Sequence, residues 1–130
     1  MLSTKNIEKT ILIVEDERSL LKALQYKFEA EGFEVYTAPN GQKGLESALK
    51  HKSKVILLDV IMPVMDGISM LKKLRENIWG REAKVIMLTN LSDWSSNKKA
   101  TEAEVCEFLV KSDWKIQDVV DKANKTLGLK

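Results

Sequence analysis

The chain carries one cysteine, one histidine and two prolines in 130 residues. A lone Cys106 excludes an internal disulfide framework and is read as a small residue near a strand start. A lone His51 gives poor support to a zinc site or a histidine relay. No apolar run approaches the roughly 18 residues of a membrane span. The opening Met1-Leu2-Ser3-Thr4-Lys5 lacks the apolar core of a signal peptide. The net charge is only +2, and the basic residues are spread along the chain. Nucleic-acid binding, which needs a clustered basic face, therefore has little electrostatic support. These absences point to a cytoplasmic protein of one domain over residues 1–130, with neither membrane nor nucleic acid among its expected partners.

What the chain does have is a hydrophobic content of 44%, enough for a core, arranged in short runs. Thr10–Val14 is apolar without alternation, as in a strand buried on both faces. A helical stripe of Leu20, Leu21, Leu24 and Phe28 follows and stops at Gly32. Phe33–Ala38 reads as a second strand. Asn40 then caps a helix whose inner face holds Leu45, Ala48 and Leu49. Val55–Leu58 is the third and most apolar strand. The loop Val60–Asp66 contains Pro63, and Asp66-Gly67 opens a helix with Ile68, Leu71, Leu74 and Ile78 on one stripe. Lys84–Leu88 is the fourth strand, with a helix expected over Ser92–Ala103. Phe108–Val110 is the fifth, and Asp113 is placed as the cap of a final helix bearing Ile116, Val119, Val120, Ala123 and Leu127.

Strand and helix thus alternate five times with short connections. Right-handed crossovers turn such an order into an α/β fold: a doubly wound, five-stranded parallel sheet with helices on both faces. The flavodoxin-like order 2-1-3-4-5 places a ligand crevice beyond the carboxyl ends of the first and third strands. Glu15-Asp16 and Asp59 lie at those two ends, Thr89 at the end of the fourth and Lys111 at the end of the fifth.

Three carboxylates brought together repel one another unless a cation sits among them. Oxygen-only donors favour Mg²⁺. Asp59 ends the most buried strand and suits a nucleophile that becomes an acyl phosphate. Lys111 and the Thr89 hydroxyl would stabilise the phosphoryl oxygens on the other side. Taken singly, each acid reads equally well as a helix cap, and Lys111 as a solvated surface residue. Only the set favours phosphoryl chemistry.

The segments Ile11–Glu17 (ILIVEDE), Val55–Gly67 (VILLDVIMPVMDG), Val85–Thr89 (VIMLT) and Phe108–Lys111 (FLVK) resemble the receiver domain of two-component response regulators. The resemblance runs over nearly the whole chain, in order and spacing. It implies a stand-alone, chemotaxis-regulator-like signalling switch rather than an enzyme, one that assists its own Mg²⁺-dependent phosphorylation and dephosphorylation. By it, Glu15 and Asp16 are the acidic metal-binding pair, Asp59 is the phosphoacceptor, and Ile61 offers a backbone carbonyl to Mg²⁺. Thr89 and Lys111 sense the phosphoryl group, and Phe108 is the aromatic switch. The implied donor is a phosphohistidine on a sensor histidine kinase or phosphotransfer protein, or a small acyl phosphate. The implied output is a downstream protein bound at the face made of the fourth helix, fifth strand and fifth helix, by a monomer or a phosphorylation-dependent dimer.

The chain departs from that pattern in places. Ser112 follows Lys111 where proline and a cis peptide are usual, and Asn90 follows Thr89 where a small residue is usual. Glu104-Val105 stands in place of a common Gly-Ala. Two other readings compete: a phosphorylation-independent interaction module that keeps the fold, and a phosphatase with Asp59 as nucleophile. The second is disfavoured because Ile61 stands where such enzymes carry another aspartate. Trp79 reads as packing, whereas Trp94 and Trp114 read equally as packing or as partner contacts.

Overall fold

A computed structural model describes residues 9–60, 62–89, 107–110 and 115–129, with the main chain alone described at 89 and 107–110. Its strands are β1 (Thr10–Val14), β2 (Glu34–Ala38), β3 (Val55–Asp59), β4 (Val85–Thr89) and β5 (Glu107–Val110). The described helices are α1 (Arg18–Ala30), α2 (Gly41–His51), α3 (Gly67–Glu76) and α4 (Ile116–Thr126). The strands pair in parallel in the order β2-β1-β3-β4-β5. The helix expected over 92–103 lies outside the described residues, as do Trp94, Cys106, the 104–105 pair, Trp114 and the Lys111–Ser112 bond.

The unbroken apolar runs have a direct structural cause. Ile11 and Ile13 of β1, with Val55 and Leu57 of β3, pack against Leu24 and Phe28 of α1 and Val119, Val120 and Ala123 of α4. Leu12, Val14, Ile56 and Leu58, which alternate with them, pack on the other face against Ala48 of α2 and Met70, Leu71 and Leu74 of α3. A strand covered by helices on both sides has no solvent face, so it shows no polar alternation. Each fully buried aliphatic side chain contributes roughly 1.5–3 kcal/mol relative to exposure. Phe28 and Phe33 meet edge to face, with centroids 4.9 Å apart. Trp79 packs at the margin of the second cluster, as expected.

Three expected details change. Ile78 is not on the inner stripe of α3 but is 83% exposed. The helix ends at Glu76, and the Asn77 side-chain oxygen accepts from the main-chain N–H groups of Trp79 (2.9 Å) and Gly80 (3.2 Å). That local turn competes with a further helical turn and wins. Asp113 lies outside the described residues, and α4 begins after Lys115, whose N–H donates to the Asp118 carboxylate at 2.8 Å. β3 and β4 each extend one residue further than expected, to Asp59 and Thr89. Among the described residues, no helix is long and apolar enough to cross a membrane.

Candidate functional site

The parallel register builds the site. Val14 of β1 pairs with Leu58 of β3, so the next residues in each strand, Glu15 and Asp59, emerge side by side at the carboxyl edge. The Glu15 main-chain N–H donates to the Ala38 carbonyl at 3.0 Å, which holds this end of β1 against β2. Its Oε2 accepts from the Glu17 N–H at 3.0 Å and is thereby turned back over the strand end. Asp16 follows at the rim.

Glu15 and Asp59 are buried, at 1% and 5% exposure, and Asp16 is exposed. Each of the three presents a carboxylate oxygen, and these oxygens lie within 4.8 Å of one another. Two unit charges about 4 Å apart repel by about 1 kcal/mol in bulk water and about 4 kcal/mol at an effective dielectric of 20. Two buried carboxylates and one at the rim therefore make a strong field for a hard cation. Without sulfur or imidazole in the set, the donors match Mg²⁺ or a similar oxygen-seeking ion, open on the side of Asp16. His51 takes no part: it ends α2 with its ring stacked on Tyr36, centroids 3.8 Å apart and planes 10° apart.

The chain leaving Asp59 is shaped by contacts that the sequence reading overlooked. The Gly67 N–H donates to the Val60 carbonyl at 2.8 Å, and the Gly41 N–H donates to the Met65 carbonyl at 2.9 Å. A Cβ on Gly67 would overlap the Asp59 carbonyl oxygen, and one on Gly41 would overlap that of Met65. Between these clamps, the Met65 N–H donates to the Pro63 carbonyl at 2.7 Å around Val64, which has φ 69°. This is a γ-turn of the rare positive-φ kind, with a β-branched residue at its centre. Asp66 then caps α3, its Oδ1 accepting from the Ser69 N–H at 2.7 Å. The Asp-Gly and Asn-Gly pairs at 66–67 and 40–41 were the available signals. Nothing in Pro63-Val64-Met65 announces the turn.

The remaining expected site residues divide. Thr89 ends β4, the neighbour of β3, and its main chain pairs with Val110. Phe108 is in β5, its main chain paired with Met87. Ile61 and Lys111 lie outside the described residues. The structure thus brings together Glu15, Asp16 and Asp59 and puts the main chain of Thr89 at the same sheet edge.

Comparison with known proteins agrees with this geometry. The family profile described as response regulator receiver domain matches residues 11–124. Transcriptional regulatory protein SrrA of Staphylococcus aureus is 37% identical over 101 residues, which make up 78% of this chain and 41% of that protein. The match therefore spans about two fifths of the length of such curated relatives. Response regulator TrrA from Thermotoga maritima, solved in complex with Mg²⁺-BeF, superimposes with a TM-score of 0.78 at 28% identity, covering 91% of this chain and 98% of that one. A Francisella response regulator receiver domain gives a TM-score of 0.81 at 25% identity, with 92% and 97% coverage.

Proposed function

The chain belongs to the response regulator receiver domain family, and from that premise we propose that Asp59 is its phosphoacceptor. Receiver domains are phosphoacceptor signalling switches, not enzymes in the usual sense. The observation that carries the assignment is the grouping of Glu15, Asp16 and Asp59, with ligand oxygens within 4.8 Å. Of the two buried acids, Asp59 terminates the central strand β3, flanked by β1 and β4.

In the proposed step an Asp59 carboxylate oxygen attacks the phosphorus of a phosphohistidine. The P–N bond breaks, an acyl phosphate forms, and the electron pair leaves with the imidazole. A small acyl phosphate serves equally, with a P–O bond breaking and a carboxylate departing. Glu15 and Asp16, with Asp59 and the Ile61 carbonyl, would hold Mg²⁺. When bound, that ion would offset the carboxylate charge and draw phosphoryl oxygens into line. Thr89 and Lys111 would receive the remaining phosphoryl oxygens, and Phe108 would follow Thr89 between two positions. Water attack on the acyl phosphate would later return Asp59.

We take the whole as one doubly wound domain of five βα units, working in the cytoplasm with a sensor histidine kinase or phosphotransfer protein. We assign its output to altered protein–protein contacts at the face containing β5 and α4. The transcriptional role named for the S. aureus relative belongs to a protein of which this match covers 41%.

Incubation with acetyl phosphate and Mg²⁺ tests the assignment by mass spectrometry. An adduct of about 80 Da, one phosphoryl group, is expected on Asp59 and absent in Asp59→Asn. A full-strength adduct in that variant, or none in the parent, would refute it. Continuous release of phosphate without an adduct would instead favour the phosphatase reading.

A further inference from the structure

A polar cavity opens at the opposite edge of the sheet, at the amino ends of β3 and β4. It has a volume of about 280 Å³ and is lined by Lys52, Ser53, Lys54, Lys84, Trp79 and Leu127, among others. Ser53 is six residues before Asp59, roughly 20 Å away at the rise of an extended chain. The cavity is thus separate from the carboxylate cluster.

Its chemistry is the reverse of that cluster. Among the described residues, three lysines line it against one carboxylate, Glu82. Ser53 is only 2% exposed, yet among the described residues its hydroxyl oxygen has no hydrogen-bond partner. Burying a hydroxyl without a partner is costly, and native proteins seldom leave one so. The Lys84 ammonium is held by the Thr126 carbonyl at 3.1 Å, at the end of α4. The Lys54 N–H is fixed by the Thr10 hydroxyl at 2.8 Å, which positions the chain beside Ser53. Lys52 adopts φ 51°, a left-handed conformation in which glycine or asparagine is the default. Lys52 holds it at a backbone cost on the order of 1 kcal/mol.

From these groups we propose that the cavity binds a small phosphomonoester. Ammonium groups act as point charges around a phosphate, and three of them converge on this lining. Rotation about χ1 on binding would turn the Ser53 hydroxyl, whose oxygen is closed to solvent in the free protein, toward a phosphate oxygen. Trp79 and Leu127 supply apolar wall for a compact organic part, and the volume exceeds what bare phosphate needs. The binding requires neither Mg²⁺ nor an intact Asp59.

The test is a titration of ¹⁵N-labelled protein in EDTA, followed by amide shifts, with phenyl phosphate, inorganic phosphate and phenol as probes. Phenyl phosphate should give saturable shifts at residues 52–54 and 79–84, and bind more tightly than either fragment. Ser53→Ala, which removes only the hydroxyl, should weaken it about tenfold, the scale of a hydrogen bond to a charged group. Lys54→Ala, at an exposed position, should weaken it severalfold and flatten its salt dependence. It supplies the same reading if Ser53→Ala folds poorly. No saturation by about 10 mM, a weak affinity even for a metabolite, would overturn the proposal. So would equal binding of phosphate and phenyl phosphate, shifts centred on residues 15, 16 and 59, or affinity unchanged in both variants.

Discussion

Gly67 lies against the main-chain carbonyl of Asp59 so closely that a methyl group on Gly67 would overlap the carbonyl oxygen. The amino end of α3 is thereby seated on the strand end that carries the proposed phosphoacceptor. The obstacle is backbone, which cannot swing aside as a side-chain tip can. Gly67→Ala should therefore cost about 2 kcal/mol or more, in the range of other overpacking changes. Urea unfolding should show a lower midpoint at unchanged slope. Transfer from acetyl phosphate should slow in the same variant.

The three neighbouring carboxylates make a second expectation. Asp16 is the exposed member, so its neutralisation relieves repulsion with little disturbance of packing. In EDTA, Asp16→Asn should raise the thermal midpoint by about 1–3 °C, the shift expected of a fraction of a kcal/mol in a chain of this size. Saturating Mg²⁺ should raise the midpoint of the parent and do so markedly less in the variant. A Mg²⁺-induced rise of equal size in both would remove Asp16 from the metal site.

Val64 holds φ 69° while 81% exposed, so its side chain is repaid by little packing. Glycine adopts that conformation without a steric penalty. Val64→Gly should stabilise the protein by about 0.5–1 kcal/mol, net of the added freedom of the unfolded chain. Chemical unfolding checks the sign, and a clear loss of stability would mean that the Val64 side chain makes a needed contact.

Tyr36 donates its hydroxyl to Glu34 at 2.6 Å, and this bond, with burial and the carboxylate charge, raises its pKa above the ordinary tyrosine value. The neutral phenol is the form that the fold favours. Its contribution is therefore complete below the unfolded pKa and fades as pH rises through the higher folded one. The chain has two tyrosines. In Tyr26→Phe, ultraviolet titration should report Tyr36 alone, with a midpoint above the usual value that falls on adding Glu34→Gln.

Much of the site could be read in the sequence because each acid directly follows an apolar run. Glu15 comes straight after Thr10–Val14, and Asp59 closes Val55–Asp59. In a parallel sheet, the ends of such runs meet by register alone. The Asn40 cap was equally legible and is realised by the Lys43 N–H at 2.9 Å. Ile78 was misplaced because it falls four residues after Leu74 and so continues the stripe. Periodicity could not register that Asn77 would take the Trp79 and Gly80 N–H groups and end the helix. The positive φ of Val64 was unreadable for a similar reason, since it is imposed by clamps from Gly41 and Gly67, far from Val64's own propensity. Asp118, three residues inside α4, reaches back to Lys115, a role that a forward search for a leading cap assigns elsewhere.

The two glycine clamps act through main-chain atoms, binding Val60 to Gly67 and Met65 to Gly41. The bend from 63 to 65 is thus moored without help from the side chains at its crest. Replacements at the exposed Pro63 or Val64 can remodel the outline of the bend while the carboxylates behind it keep their spacing. The outline of the bend and the spacing of the acids are then free to change on separate schedules, although a few residues of chain divide them.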